Sequence, residues 1–155
     1  RWDLAGAVSQ NQIKQYHLYA WSDQAGDEVL TTYDRTPIAY SPQLVLSNTL
    51  TFAHRAFEAA LTSQYVGMQY LDNTGSRERS LPAYHVASLR LGYELPVHFV
   101  RSWSISLQVN NLFDARYSSN GGAGYTFDKK GAISSYTWIY PQAGIHAFLG
   151  TTITI

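Results

Sequence analysis

Apolar side chains recur at every second position at the end of this 155-residue chain. A period of two indicates a β-strand with two unlike faces, because successive side chains of a strand point to opposite sides. No long apolar stripe of helical period accompanies it, so the chain is predicted to be all-β. One face would carry Ile145, Ala147, Leu149, Thr151, Ile153 and Ile155, and the other His146, Phe148, Gly150, Thr152 and Thr154.

The same alternation appears in earlier segments, which predicts about six antiparallel strands in all. The strand that begins at Trp2 is expected to continue towards Tyr19, although its phase is lost near Asn11. The other predicted strands span residues 42–53, 57–70, 84–95, 103–110 and 145–155.

The connections between these strands alternate in length. Residues 53–56 and 96–102 form short turns, whereas residues 22–36, 71–82 and 114–138 form long polar connections. The Gly-rich stretch 118–124 is predicted to be a flexible loop. Short periplasmic turns that alternate with long extracellular loops are typical of bacterial outer-membrane barrels. The pattern therefore favours an antiparallel transmembrane β-barrel segment over other all-β folds.

Composition supports a membrane-facing surface. Charged residues make up 14% of the chain, against about 25% in an average protein, and Tyr occurs 12 times. Amphipathic aromatic rings are enriched where a protein meets lipid headgroups, so two aromatic belts are predicted. The outer belt would comprise Tyr16, Tyr19, Trp21, Tyr33, Tyr40, Tyr65, Tyr70, Tyr84, Tyr117, Trp138 and Tyr140, and the inner one Trp2, Phe52, Phe57, Tyr93, Phe99 and Trp103.

Several function classes find no support in the sequence. Net charge is zero without a basic stripe, so no nucleic-acid partner is expected. Cysteine is absent and the five histidines lack metal-ligand spacing, so neither a metal nor another cofactor is predicted. No nucleophile motif of the G-x-S-x-G type occurs, and no catalytic residue is assigned. The chain is therefore predicted not to be an enzyme.

Four segments, in order along the chain, resemble one family. They are Tyr65–Thr74 (YVGMQYLDNT), Arg79–Tyr84 (RSLPAY), Val109–Tyr117 (VNNLFDARY) and Tyr140–Gly144 (YPQAG). Together they resemble the final strands of TonB-dependent outer-membrane receptors, above all those of Bacteroidetes. The order of the four segments makes the resemblance specific, whereas Asn-Asn-Leu-Phe alone would be a weak signal.

The resemblance implies that residues 1–155 are the C-terminal part of such a receptor, without its plug domain and earlier strands. A receptor of this kind lies in the outer membrane of a Gram-negative bacterium and takes up a scarce nutrient. The implied partners are outer-membrane lipid, the plug, the remaining strands, the TonB protein through a missing N-terminal region, and a small-molecule or metal-complex substrate. Siderophore-iron, haem, cobalamin and glycan remain open as substrates.

Polar and aromatic residues of the long connections are the candidate substrate-facing groups. The guanidinium of an arginine matches the geometry of a carboxylate, and Tyr or Trp rings stack on ligands. The alternative without a functional role for Arg77 and Arg79 is a solvated loop with a local ion pair. The candidates are Tyr70, Asp72, Asn73, Arg77, Arg79, Tyr117, Asn120, Tyr125 and Trp138.

Two other readings remain open at this point. A soluble β-sandwich would show the same alternation and could bind glycans through exposed Tyr and Trp rings. An outer-membrane enzyme or adhesin barrel would need a compact cluster of Ser, His and carboxylate at its outer rim, and no motif in the sequence indicates one.

Overall fold

The computed structural model describes residues 1–22, 26–127 and 133–155, and these residues form twelve strands and a single turn of 3-10 helix, Arg77–Arg79. The strands are β1 (Trp2–Val8), β2 (Gln12–Ser22), β3 (Asp27–Pro37), β4 (Leu44–His54), β5 (Phe57–Val66), β6 (Gln69–Tyr70), β7 (Ser80–Leu81), β8 (Tyr84–Glu94), β9 (Ser102–Asn110), β10 (Ser118–Phe127), β11 (Ile133–Pro141) and β12 (His146–Thr154).

A six-stranded antiparallel sheet, in the order β1-β4-β5-β8-β9-β12, forms the body of the chain. The long strands β4 and β8 have 11 residues each, and β12 has 9. A tilted strand needs about 9–11 residues to cross a membrane. The prediction of about six antiparallel strands in an all-β barrel segment is confirmed, and the sheet is open rather than closed in the described residues.

The register gathers the apolar side chains onto one face of this sheet. Leu61 pairs with Leu50 on one side and with Leu89 on the other. The same face continues through Leu107 to Leu149. Side chains along a strand alternate between the two faces. Once one apolar residue of each strand lies on a given face, the other apolar residues at alternate positions lie on that face too.

Most of that apolar face is uncovered in the described residues, although Phe113 stacks on His85 near its outer end. Leu4 is 67% exposed and Leu149 is 78% exposed. A β-sandwich would cover this face with a second sheet, and the other sheets here are two-stranded hairpins. The soluble sandwich is therefore excluded for the described residues, and the apolar face has the surface expected to meet lipid.

The opposite face is polar. Thr49 pairs with Thr62, and the two hydroxyls lie 3.2 Å apart. Arg90 lies opposite Gln108, and Glu58 lies opposite Gly92. Polar groups at membrane depth are tolerated where they line a wet or protein-filled interior, so this face has the character of a barrel lumen.

The short turns and the inner aromatic belt lie at one end of the sheet. Arg55 adopts a positive φ of 53°, which closes the turn between β4 and β5. Phe52 and Phe57 lie beside it with ring centroids 6.4 Å apart. Phe99 and Trp103 form a similar contact, with centroids 6.2 Å apart, at the next short turn. The short connections and the inner group of aromatics occur where the sequence predicts them.

The long connections lie where the sequence predicts them, but two of the three fold largely as β-hairpins and not as irregular loops. Residues 22–36 belong largely to the hairpin β2–β3, and residues 114–138 largely to the hairpin β10–β11. The stretch 118–124 lies in β10, because its glycines let rings of β11 lie across the strand. Within this region, residues 128–132 lie outside the described part of the chain.

Strand ends also differ from the prediction. The first strand stops at Val8, and Gln12 begins β2, which pairs with β3 instead of joining the sheet. The strand predicted over 57–70 ends at Val66, where the next residue, Gly67, donates its amide to Leu44 O at 2.8 Å. Most of the predicted outer aromatic belt, including Tyr19 and Trp21, consequently lies on hairpins beyond the sheet.

The segment from Asn111 to Tyr117 ties the last hairpin to the sheet. The side-chain amide of Asn111 donates through Nδ2 to Ala115 O at 2.9 Å and to Ala143 O at 3.1 Å. Asp114 Oδ1 accepts from the Ile145 amide at 2.9 Å. Both residues have positive φ values, 49° and 51°, which Asn and Asp tolerate better than other side chains. The Asn-Asn-Leu-Phe-Asp motif therefore has a structural role at the corner where β9 and β12 continue into β10 and β11.

Candidate functional site

The connection between β5 and β8, residues 67–83, contains several of the most buried side chains among the described residues, and we call it the cap. Leu81 is 1% exposed and Leu71 is 5% exposed. The pairing of Gln69 with Leu81 brings the two ends of the cap together. An apolar residue that is shielded in a connection needs neighbours on several sides, and here the two long hairpins supply them.

A salt bridge within the cap organises its polar groups. Arg79 Nε donates to Asp72 Oδ2 at 2.6 Å, and both side chains are about nine-tenths shielded from solvent. Asp72 Oδ1 accepts from the amide of Thr74 at 2.8 Å and from its hydroxyl at 2.5 Å. Arg79 Nη2 donates to the same hydroxyl at 2.6 Å. Each carboxylate oxygen therefore has a donor, as a shielded charge requires.

The same salt bridge joins the cap to the hairpin β10–β11. The Tyr125 hydroxyl donates to Asp72 Oδ2 in a short hydrogen bond. Arg79 Nη1 donates to Ser135 Oγ at 3.1 Å, and the Arg79 guanidinium carbon lies 5.1 Å from the centre of the Tyr125 ring. We refer to Asp72, Thr74, Arg79, Tyr125 and Ser135 as the clasp.

The charges of the clasp reinforce one another. Burial alone would raise the pKa of the Asp72 carboxyl, but hydrogen bonds from Thr74, Tyr125 and Arg79 outweigh it and hold that pKa below its usual value. Burial opposes the charge on Arg79 as well, yet Asp72 raises the pKa of the guanidinium overall. Burial and then Asp72 raise the pKa of the Tyr125 hydroxyl, so it stays protonated and remains a donor.

The opposite side of the cap contacts the end of β3 and the segment that follows it. Thr36, 3% exposed, donates its hydroxyl to Asn73 O at 2.7 Å. The amide of Ala39 donates to Asn73 Oδ1 at 2.7 Å. Tyr40 donates its amide to Tyr70 O at 2.9 Å and its hydroxyl to Gly121 O at 2.8 Å. The cap is thus held from both sides, and Tyr40 links all three connections.

A cleft of about 470 Å³ opens between the end of the cap and the base of the hairpin β10–β11. Its volume falls in the range of small-molecule pockets, which are mostly apolar with a few polar groups. Arg116 is the charged residue among its lining side chains. The lining residues are Ser80, Leu81, Pro82, Ala83, Arg116, Tyr117, Ser118, Thr137, Ile139 and Pro141.

Aromatic rings cover the other face of that hairpin. Trp138 pairs with Gly122 and Tyr136 with Gly124. A Cβ on either glycine would collide with the ring opposite, so each ring lies directly over its glycine. The two ring centroids are 5.9 Å apart, and Tyr136 remains 60% exposed.

The structure distributes the predicted substrate-facing residues over several environments. Asp72, Arg79 and Tyr125 meet in the clasp, and Asn73 with Tyr70 binds the segment 36–40. Arg79 does form a local ion pair, with Asp72, but the pair is shielded and not solvated as the alternative interpretation expected. Tyr117 stacks on Tyr84 with centroids 4.5 Å apart and lines the cleft. Arg77, Asn120 and Trp138 are exposed or half-exposed.

Other residues of this region escape sequence reasoning. Ser135 and Thr74 complete the clasp, and Arg116 and Ile139 line the cleft. Arg116 lies inside the family-like segment 109–117, so its place in that motif is the one signal that could have singled it out. Thr74 likewise lies inside the segment Tyr65–Thr74, whereas Ser135 gives no signal because its partner Arg79 is distant in sequence.

Within residues 1–22, 26–127 and 133–155, no group of three or more His, Asp or Glu side chains comes together as a metal site. The helical content of this part of the chain is one short turn, and it contains no helix long and apolar enough to span a membrane.

The sheet is open and antiparallel, with one apolar and one polar face, short turns at one end and long hairpins at the other. These features define the class as an outer-membrane β-barrel protein. Residues 2–112 match the family described as TonB dependent receptor-like, beta-barrel. The chain belongs to this family, whose members are transporters of the Gram-negative outer membrane, and the chain is accordingly an outer-membrane protein.

Solved structures with a similar fold include the ferric-catecholate import receptor Fiu from E. coli K12. Its closed form matches 97% of this chain with a TM-score of 0.53 and 20% identity. Its open form matches 80% of the chain with a TM-score of 0.51 and 21% identity. The chain spans 18% and 17% of those two receptor chains, respectively, so it corresponds to a small part of a receptor of that length.

A sequence similarity of another kind connects the chain to FMN-dependent NADH:quinone oxidoreductase of Shigella flexneri serotype 5b (strain 8401). The two are 28% identical over 151 residues, which cover 92% of this chain and 67% of the enzyme. Open α/β folds bind FMN at the carboxyl ends of parallel strands. All strand pairs in the described residues are antiparallel, so they provide no such site.

Proposed function

We propose that residues 1–155 are the C-terminal strands of a TonB-dependent receptor that imports a scarce nutrient across the outer membrane. The observation that carries the proposal is the two-faced sheet, with an uncovered apolar face and a polar face in strict register across six strands. The residues would serve as barrel wall through the sheet and as part of the external mouth through the cap and hairpins.

The rest of the barrel would come from other residues of the same protein. In the described residues β1 pairs only with β4, and β12 pairs only with β9, so each has an unpaired edge. Single-chain membrane barrels start at about eight strands and close completely, because lipid cannot satisfy free backbone groups. Further strands between these two edges would complete the barrel.

A plug domain inside the barrel would meet the polar face. Glu58, Arg90 and Glu94 line a hollow of about 280 Å³ on that face, where Gly92 has no side chain. A protein surface or water must satisfy such groups. Energy for transport would come from TonB, which would contact a segment outside residues 1–155.

Ferric siderophore is the substrate we propose. The support is the fold shared with Fiu, whose description is ferric-catecholate import, and the presence of exposed aromatic rings and arginines on the hairpins and cap. Haem, cobalamin and glycan are the competing substrates that the same architecture accommodates.

The test is uptake by cells of the source strain in which the whole gene is deleted and then restored. Restored cells are expected to accumulate ⁵⁵Fe from a ferric-catecholate complex, and a protonophore is expected to abolish that accumulation. In a matched strain, the receptor without its plug should still insert in the outer membrane. The cells of that strain should not accumulate iron. Equal uptake with and without the gene for every iron complex would refute the siderophore assignment, and equal growth on haem, cobalamin and glycan as well would refute nutrient uptake.

A further inference from the structure

The cleft beside the cap has two walls that the clasp joins. One wall is residues 80–83, which follow Arg79 directly, and the other includes Thr137 and Ile139, which follow Ser135 in the same strand. The hydrogen bond from Arg79 to Ser135 and the one from Tyr125 to Asp72 therefore fix the separation of the walls. A cleft with walls fixed in this way is formed in advance of any ligand, which lowers the entropic cost of binding.

The lining of this cleft is chemically uneven. Leu81, Pro82, Ala83, Ile139 and Pro141 supply apolar surface along both walls. Apolar surface of this kind favours a hydrocarbon or aromatic group, because binding removes apolar area of both from water. The ring of Tyr117, which is stacked on Tyr84, adds a flat surface at the same place.

Arg116 adds one positive charge to this apolar lining. Its guanidinium makes no ion pair with a carboxylate in the described part of the chain, although Asp114 is near in sequence. Asp114 instead accepts the amide of Ile145. An arginine without a carboxylate partner at the side of an apolar cleft is suited to a ligand that brings its own carboxylate, because the guanidinium fork and the carboxylate form paired hydrogen bonds.

We propose that this cleft is a ligand subsite for an apolar ring or chain that carries a carboxylate. The apolar part lies between residues 80–83 and Ile139, and the carboxylate pairs with Arg116. The inference rests on the proposed function in one respect, since a subsite at the external mouth is useful to a receptor that captures organic ligands. It adds the chemistry of one part of that ligand.

The experiment uses the whole receptor that contains this chain, purified and inserted in lipid nanodiscs. The probes are 6-fluoro-2-naphthoate and its neutral alcohol, 6-fluoro-2-naphthylmethanol, and their binding is read from ¹⁹F line broadening. The carboxylate is expected to bind more tightly than the alcohol. Ile139→Trp fills the cleft and should weaken both probes at least tenfold, whereas Arg116→Gln should weaken the carboxylate about tenfold and leave the alcohol unchanged.

Matched controls separate these effects from general damage. Tyr140→Trp adds the same ring at the neighbouring position of β11, on the opposite face, and Arg101→Gln removes a charge at the other end of the sheet. Neither should change probe binding. Ala83→Met fills the cleft from the other wall and replaces Ile139→Trp if that variant fails to give the heat-modifiable band of a folded barrel.

Each outcome decides the matter. Equal binding by Ile139→Trp or Ala83→Met and the wild type overturns the subsite, and so does the absence of probe binding to the wild type. An Arg116→Gln variant that weakens both probes alike overturns the role given to its charge. Probe binding needs neither TonB nor an energised membrane, so a receptor that binds the carboxylate but imports nothing retains the subsite and loses the proposed function.

Discussion

Leu149 and Leu81 are the same residue in opposite surroundings. Leu149, in the six-stranded sheet, is 78% exposed, whereas Leu81, in the cap, is 1% exposed. The sheet is regular in register but has no core of its own. Its apolar face is suited to contact with lipid, and its polar face to contact with water or protein. The cap is irregular in backbone but contains buried residues and is hydrogen-bonded from two sides by its own chain. The sheet and the cap thus depend on different surroundings for their stability.

The largest expected effect comes from a cavity in the cap. Leu81→Ala should lower the free energy of cap opening by about 2–5 kcal/mol, because the neighbours cannot collapse fully around the missing atoms. Hydrogen exchange of cap amides in the nanodisc-inserted receptor measures this quantity.

Leu149→Ala is the matched variant in the sheet. Lipid chains can move into the space it leaves, so it should cost less than Leu81→Ala. An equal or larger cost for Leu149→Ala would show that the apolar face of the sheet is packed against protein, and the comparison would fail.

A charge on the apolar face gives the next largest effect. Leu107→Arg places a guanidinium between Leu91 and Leu149 and should destabilise the folded barrel by about 2–4 kcal/mol if this face meets lipid at mid-membrane depth. Urea unfolding of the receptor in bilayers measures the change. Gln108→Arg is the control, because the adjacent side chain points to the polar face; similar costs for the two variants would contradict the assignment of the faces.

Removal of the charge in the clasp comes third. Asp72→Asn keeps the shape of the side chain but leaves Arg79 without its counter-ion, and should lower the free energy of cap opening by about 1.5–3 kcal/mol. Hydrogen exchange should show faster opening in the cap and in β10–β11 while the sheet stays protected. Uniform loss of protection would mean that the cap and sheet unfold as one unit.

The same carboxylate predicts a dependence on pH. The pKa of Asp72 is lower in the folded cap than its usual value of about 4. Its stabilising contribution is therefore complete above pH of about 4, and it is lost as the pH falls through the lowered value. Cap opening, corrected for intrinsic exchange, should become easier on acidification in the wild type and change much less in Asp72→Asn.

The smallest effect is that of one hydroxyl. Tyr125→Phe keeps the ring beside Arg79 and removes the donor to Asp72, which should cost about 1 kcal/mol. The change should appear in the exchange of β10 rather than in that of the sheet. An effect as large as that of Asp72→Asn would show that the hairpin, and not the salt bridge, holds the cap.

The sequence predicts the six-stranded sheet well and the hairpins and cap poorly, and both results have the same physical cause. Each wall strand repeats Leu, Ile, Val or Ala at alternate positions because one face meets a uniform apolar solvent, so the pattern is visible without any partner. The hairpins β2–β3 and β10–β11 face no uniform solvent, and polar, aromatic and glycine residues mix along them. Asp72 and Tyr125 are 53 positions apart in sequence, so no local pattern indicates that they meet.

The motif around Asn111 shows an intermediate case. The sequence marks Val109–Tyr117 as a family segment but gives it no role. The structure explains its two side chains with positive φ by the hydrogen bonds they make across the corner to Ala143 and Ile145. Motif recognition therefore locates this corner, whereas its mechanism requires the coordinates of both strands.

The rings that lie over Gly122 and Gly124 restrict which substitutions this hairpin can accept during evolution. Because a Cβ at either glycine would occupy the space of Trp138 or Tyr136, neither glycine can gain a side chain while the ring opposite it remains. Across related receptors, a side chain at position 122 should accompany a small residue at position 138, and positions 124 and 136 should vary together in the same way. A lineage that adds a side chain at either glycine would then first have to replace the ring opposite with a smaller residue, which slows the divergence of the two glycine positions.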